Sequence, residues 1–206
     1  SAFIQLGKEI GSENIMDMAK RLGFNHKIGI GLMEEVEGNL PSGNELKGPS
    51  VGNISIGQGS IEVTPLQISN MMMIIANGGI HKGISVVKGI TNSDGVMIKE
   101  FNREEEKRLI SKRCSEVVQR YLIDVVTSGT ARNMDLADIG GAGGKTGSAQ
   151  AVLNKKETIH GWFSGFWPAN NPKYVITVFI EGGNSGSQEA VPIFEKIVRE
   201  IHSINR

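Results

Sequence analysis

The sequence predicts an α+β fold, an antiparallel sheet flanked by helices, and three observations carry that prediction. The last third holds three short strand-like runs separated by turn-forming loops. The C-terminal segment repeats apolar residues at helical spacing, and a strongly apolar helix with clear start and stop signals lies upstream. Strands that follow one another over short loops pair antiparallel by the most economical connection, and a final amphipathic helix would lie across their sheet.

Residues 1–10 read as a helix with Phe3, Leu6 and Ile10 on one face. Ser12 can cap a second helix that turns Ile15, Met18, Ala19 and Leu22 to one side and stops at Gly23. Residues 27–62 contain eight glycines and two prolines, which break every period, and read as an ordered but irregular loop with a job of its own. Thr64-Pro65 then opens a helix with a capping hydroxyl and a proline at the first helical position. That helix runs through Leu66, Ile68, Met71, Met72, Met73, Ile74 and Ile75 to Asn77-Gly78-Gly79; apolar nearly all round, it is predicted to be buried. Residues 84–90 and 96–101 flank Asn92-Ser-Asp-Gly95 and predict a hairpin. Residues 104–111 and 112–127 read as helical, the second with Val117, Val118, Tyr121, Leu122 and Val125 inward and Gly129 at its end. The three strands are 145–153, 161–167 and 173–181, joined by loops 154–158 and 168–172, and the last helix turns in Val191, Phe194, Ile197, Val198, Ile201 and Ile204.

Composition narrows the chemistry. Twenty-two Lys+Arg balance 22 Asp+Glu over 206 residues, and no basic run occurs, which argues against a nucleic-acid partner. The single Cys114 forbids an internal disulfide and a cysteine zinc cage, while His26, His81, His160 and His202 lie far apart, so neither a metal nor a cofactor is expected. The longest apolar run, residues 71–76, is far short of the roughly 20 residues of a membrane span. Glycine is the oddity: 27 residues, about twice the usual ~7%.

Four of those glycines crowd ahead of Lys145 in Gly140-Gly-Ala-Gly-Gly-Lys145-Thr146-Gly147-Ser148. A phosphate-binding loop would need its first glycine at position 139, which is Ile, and a helix after the lysine, where Gly-Ser-Ala-Gln-Ala-Val-Leu reads as strand. The competing chemistry is Lys-Thr-Gly on a strand lining an acyl-transfer site. Lys145 would attract a substrate carboxylate, and Thr146 and Ser148, two apart on a strand, would offer it hydroxyls from one side. Gly147 would let a substrate backbone lie close, and a backbone N–H of the strand would donate to an oxyanion. A surface Lys-Thr-Gly turn is the plain alternative to both.

The ordered blocks around this motif resemble the transpeptidase domain of class B penicillin-binding proteins, especially the penicillin-binding protein A group. The blocks are Ala2-Phe-Ile-Gln-Leu-Gly7, Ala19-Lys-Arg-Leu-Gly-Phe-Asn25, Ile56-Gly-Gln-Gly59, Val63-Thr-Pro-Leu-Gln67 with Ala76-Asn-Gly-Gly79, Val125-Val-Thr-Ser-Gly-Thr-Ala131, Gly144-Lys-Thr-Gly-Ser-Ala-Gln150 and Trp162-Phe-Ser-Gly-Phe-Trp-Pro168. The resemblance implies a β-lactamase/transpeptidase-like fold and an acyl-serine enzyme acting on the D-Ala-D-Ala end of a peptidoglycan stem peptide, trapped by β-lactam antibiotics. It implies catalytic roles for Lys145 and for Ser148, whose backbone N–H supplies one oxyanion donor. It also implies substrate binding by Thr146, Gly147 and Ser148, with Ser148 standing where the family has Thr.

No serine here is matched to the family's Ser-x-x-Lys nucleophile, and Ser12-Glu-Asn14, Ser42-Gly-Asn44 and Ser203-Ile-Asn205 read as accidental Ser-x-Asn matches. The expectation is therefore that residues 1–206 form the C-terminal portion of a single transpeptidase domain, incomplete at its N-terminal side. That portion would lack the first two motifs, be inactive alone, and leave the sheet with an unpaired edge. The resemblance further implies an extracytoplasmic location through an N-terminal membrane anchor outside this chain. Its partners would be the rest of the domain and cell-wall synthesis complex proteins. A non-catalytic penicillin-recognising sensor or scaffold and a serine β-lactamase are the alternatives. Met71, Met72 and Met73 read as core, His160 as structural or exposed, Cys114 as semi-buried, Trp162 and Trp167 as packing residues on opposite strand faces, and residues 104–108 as a solvated helix face.

Overall fold

A computed structural model of the chain describes residues 2–30, 34–101, 105–153 and 155–205. Helices α1 (Ala2–Ile10) and α2 (Ser12–Arg21) lead through irregular chain to the short α3 (Ser50–Ile54) and the central α4 (Pro65–Ala76). Strands β1 (Ile80–His81), β2 (Gly89–Thr91), β3 (Met97–Glu100) and β4 (Lys107–Arg108) follow, then α5 (Lys112–Thr127). The last third is β5 (Gly143–Leu153), β6 (Lys156–Trp167), β7 (Tyr174–Gly183) and α6 (Val191–Ile204). Strands β5, β6 and β7 form one antiparallel sheet in sequence order, β2 pairs with β3, and β1 pairs with β4. The class is α+β, as the sequence predicts.

The sheet is held between two apolar layers. Alternation along β6 sends Phe163 to one face, where its ring meets Phe194 of α6 edge-on at 4.7 Å, and Phe166 to the other, where it packs with Met72 of α4 and Leu122 of α5. Trp162 and Trp167 fall on opposite faces as expected; Trp167 is buried and its indole N–H donates to the Ile139 carbonyl. Helix α4 starts as read: Thr64 accepts from the Gln67 N–H while the Gln67 side chain accepts from the Thr64 N–H, a reciprocal capping box. Ser111 caps α5 by accepting from the Cys114 N–H.

Several expectations are corrected. Residues 105–111 are not helical: β4 pairs Arg108 with Ile80, and the Arg108 guanidinium and Leu109 N–H bond the Gly78 and Gly79 carbonyls that end α4. Tertiary pairing outweighs the helix propensity of that charged run; Glu104 lies outside the described residues. Ser12 is the first residue of α2 rather than its cap, and its hydroxyl donates to the Leu46 carbonyl at 2.6 Å. Met16, not Met18, is the buried methionine of α2, and Tyr121 of α5 faces solvent while Ser115, Leu122 and Val126 face in. The first helix forms as read, with Phe3, Leu6 and Ile10 on a face that is exposed, because α1 meets α3 through Gly7, which lies against Ser55. Ile197 and Ile204 of α6 are also exposed, and Cys114 is exposed rather than semi-buried. The 154–158 loop is shorter than read, since β6 already begins at Lys156 and Lys155 takes φ 64° in the turn; Asn154 lies outside the described residues.

Candidate active site

Lys145, Thr146, Gly147 and Ser148 sit on β5, an edge of the described sheet, paired in register with Ser164, Phe163, Trp162 and Gly161 of β6. They line a cavity of about 880 Å³. Its opposite wall is the segment after α3, with Ile56, Gln58, Ile61 and Val63, and its floor includes Met71 and Met72 of α4. Trp162 lines the cavity next to Phe179, ring centroids 4.4 Å apart, so it is a wall residue as well as a packing one.

Two packing facts fix this strand. Gly143 and Gly144 lie directly on the rings of Phe166 and Phe163, where an added Cβ would collide, so the paired glycines let the strand sit down on its core. Gly186, in a wide helical turn (Gly186–Ala190) leading into α6, lies equally close to the Gly147 and Trp162 carbonyls. Its N–H donates to Ser148 Oγ at 3.4 Å, while the Glu189 carboxylate closes the preceding turn by accepting from Asn184 N–H at 2.8 Å. These bonds, the Asn184 backbone bond first, hold Glu189 below the usual carboxylate range.

Thr146 and Ser148 share a side, as the spacing predicts. Thr146 Oγ1 stands 2.7 Å from Thr130 Oγ1, a contact the sequence reading missed although Thr130 lies in one of the blocks it singled out. The Lys145 ammonium bends over the strand edge to donate to the Thr146 carbonyl at 2.7 Å, with Thr146 Oγ1 at 3.5 Å. No carboxylate is recorded within ion-pairing distance of it among the described residues, and partial burial pushes its pKa below the ordinary lysine value. A partly desolvated cation beside the Thr146 hydroxyl is suited to a carboxylate.

His160 has the structural contact expected of it, its Nδ1 accepting from the Gly182 N–H at 3.1 Å where β6 bulges against β7, and it also lines the cavity, which the sequence did not predict. One Ser-x-x-Lys does occur, Ser85-Val-Val-Lys88, which corrects the expectation that the motif is lacking from the chain. It lies in the exposed, non-helical connection between β1 and β2, away from the cavity lining, and the Ser85 hydroxyl donates to the Val87 carbonyl.

Residues 1–199 match the family model described as penicillin binding protein transpeptidase domain. The chain belongs to this family. It is 29% identical to the peptidoglycan D,D-transpeptidase MrdA of Acinetobacter baumannii over 94% of this chain and 32% of that protein. It is 28% identical to the peptidoglycan D,D-transpeptidase PbpA of Mycolicibacterium smegmatis over 94% of this chain and 40% of that one. Among solved structures, penicillin-binding protein 3 of Mycobacterium tuberculosis superposes with a TM-score of 0.85 in its apo form and 0.80 complexed with ampicillin. Identity there is 26%, with 98% of this chain and 48% of that one covered. The chain thus spans about a third of the length of the first curated relatives it matches.

Proposed function

We propose that this chain is the C-terminal portion of the transpeptidase domain of a peptidoglycan D,D-transpeptidase. The carrying observation is the Lys145-Thr-Gly-Ser148 edge, which lines a cavity of about 880 Å³ and carries an ammonium with no carboxylate in ion-pairing distance among the described residues. The donor stem peptide, or a β-lactam, places its carboxylate against Lys145, Thr146 and Ser148. A serine supplied upstream of this chain attacks the penultimate D-Ala carbonyl carbon. The C–N bond to terminal D-Ala breaks as the serine proton passes to the leaving amine. The acceptor amine of a neighbouring stem peptide then attacks the ester, loses a proton and frees the serine.

Alternation of an antiparallel strand supports Ser148 as oxyanion donor. The Ser148 carbonyl faces away from β6, toward Gln58, and its N–H shares that direction. The location is extracytoplasmic, through an N-terminal anchor; among the described residues no helix is long and apolar enough to cross a membrane.

Labelled penicillin and intact-mass measurement on the full-length protein test this. One stable adduct is expected, lost or slowed at least 100-fold in Lys145→Ala. This chain by itself should take no label. An adduct on a serine of residues 1–206 contradicts the upstream nucleophile, and rapid release of the acyl group points to a β-lactamase instead. A full-length protein that takes no label leaves the degenerate scaffold reading.

A further inference from the structure

One side chain closes the turn between β7 and α6. The Glu189 carboxylate accepts from the Asn184 N–H at 2.8 Å, from Asn184 Nδ2 at 3.0 Å and from the Ser185 N–H at 3.4 Å. Gly183 makes room for it, since a Cβ there would run into Glu189 Oε2. These bonds, the Asn184 backbone bond first, favour the ionised carboxylate and hold its pKa below the ordinary value, so the closure is in force at neutral pH.

The turn so closed stands directly behind β5. Gly186 is buried there, and a Cβ on it would run into the Gly147 and Trp162 carbonyl oxygens. Its N–H donates to Ser148 Oγ at 3.4 Å, the one acceptor recorded for it among the described residues. A backbone N–H can only donate, so the direction of this bond is settled. The Ser148 oxygen gives a lone pair to Gly186, and no acceptor is recorded for its own proton among the described residues. The hydroxyl is thereby left as a donor, the role a carboxylate asks of it.

We propose that Glu189 is a positioning residue: by closing the turn it holds the Gly186 N–H on Ser148 Oγ and so keeps the Ser148 hydroxyl a donor. Glu189 is not among the residues that line the cavity, and its effect passes through Gly186. Without it the turn opens at Asn184 and Ser185, and the Gly186 N–H draws away from the strand. The hydroxyl is then free to turn its lone pairs toward an incoming carboxylate, which repels them. This rests on the transpeptidase reading and adds to it a residue that acts from behind the strand.

A double-mutant cycle on the full-length protein tests the proposal, with the pre-acylation dissociation constant for a penicillin carboxylate read apart from the limiting acylation rate. Glu189→Ala should raise the constant about two- to tenfold and leave the limiting rate unchanged. Glu189→Gln, which keeps the shape but sets an amide against the same N–H donors, should act in the same direction. In a Ser148→Ala background, which keeps the N–H groups of the strand, Glu189→Ala should add nothing. A constant that does not rise, or that rises equally in the Ser148→Ala background, overturns the proposal. A turn needed only for folding would act with or without that hydroxyl. A second readout needs no ligand: amide exchange at Gly186 should speed up at least about tenfold in Glu189→Ala while the β5–β6 amides keep their protection. Unmoved exchange at Gly186 also overturns it. A wild-type protein that takes no label brings down the transpeptidase reading and the proposal together. A labelled wild type with an additive cycle brings down the proposal only.

Discussion

The β5 wall of the cavity is backed by fully buried phenylalanine rings, whereas the facing wall, residues 56–63, rests through Ile61 and Val63 on an aliphatic-rich cluster of Met16, Phe24, Leu40 and Ile54 and is tied by hydrogen bonds to polar groups. Behind β5, Phe163, Phe166 and Phe194 are completely buried, and glycines let the strand lie on their rings. Behind the other wall the main tie is Gln67, 1% exposed, whose Nε2 donates to the His26 and Glu37 carbonyls while its Oε1 holds the start of α4. A bridge between Asn39 and Glu62 completes that side. Packing resists displacement in every direction, while hydrogen bonds to loop carbonyls fix a path. The β5 wall carries the charge and the hydroxyls; the other wall sends one side-chain hydrogen bond across, from Gln58 to the Ser148 carbonyl.

The contrast can be broken most forcefully from behind β5. Phe163→Ala should cost about 3–5 kcal/mol in urea unfolding, from lost burial and the cavity left against Phe194. A loss under about 1 kcal/mol would mean that the sheet does not depend on that layer.

Gln67→Leu should cost less, about 1–3 kcal/mol, since it removes the buried side-chain donor of the His26 and Glu37 carbonyls without opening a large void. Hydrogen exchange sharpens the point: residues 26–30, 34–38 and 56–63 should lose protection while β5 keeps it. Equal loss in β5 would show that the two walls are not independent.

Lys145→Met separates binding from stability. Because burial lowers the lysine pKa, the unfolded chain holds that proton more tightly than the folded one. Stability therefore rises with pH between the lowered value and ~10.4, and below that window the charged lysine is a burden. The variant should melt at the same temperature or higher at pH 7 while losing penicillin binding. A clearly lower Tm would contradict the sign.

The smallest effect concerns Arg199 of α6, which bonds Asp138 at 3.2 Å and the Asp135 carbonyl, bracing the chain that leads into β5. The Arg199 hydrogen bond holds the Asp138 pKa below its ordinary value. That stabilisation is present above pH ~4 and disappears as pH falls through the folded-state value. The Tm gap between wild type and Arg199→Ala should accordingly narrow below pH ~4; a gap constant down to pH 2 would rule out the ion pair as its cause.

Legibility in the sequence follows the same division. The β5–β6–β7 order, α4, α5 and α6 were readable because local signals agree with tertiary packing: a cap at Thr64, and a helical repeat in α6 that is right at Val191, Phe194 and Val198. Residues 105–111 were not, because their helix-favouring charges are overruled by pairing with the chain after α4. Lys145 to Ser148 announced themselves as a local motif. Thr130, Gln58 and Gln67 each lie in recognisable blocks, yet their jobs depend on partners 16, 90, 30 and 41 residues away, which no local pattern displays. The glycine excess resolves into two physical needs: left-handed turns along residues 27–62 and close backbone approach at Gly143, Gly144 and Gly186.

The most direct test of the central claim is the intact mass of the full-length protein after exposure to a labelled penicillin, wild type beside Lys145→Ala, with residues 1–206 treated in parallel. One stable adduct on a serine upstream of this chain, lost or slowed at least 100-fold in the variant and missing from residues 1–206, is the predicted result. Equal labelling of wild type and variant would contradict the role given to Lys145, and the account of the β5 edge with it.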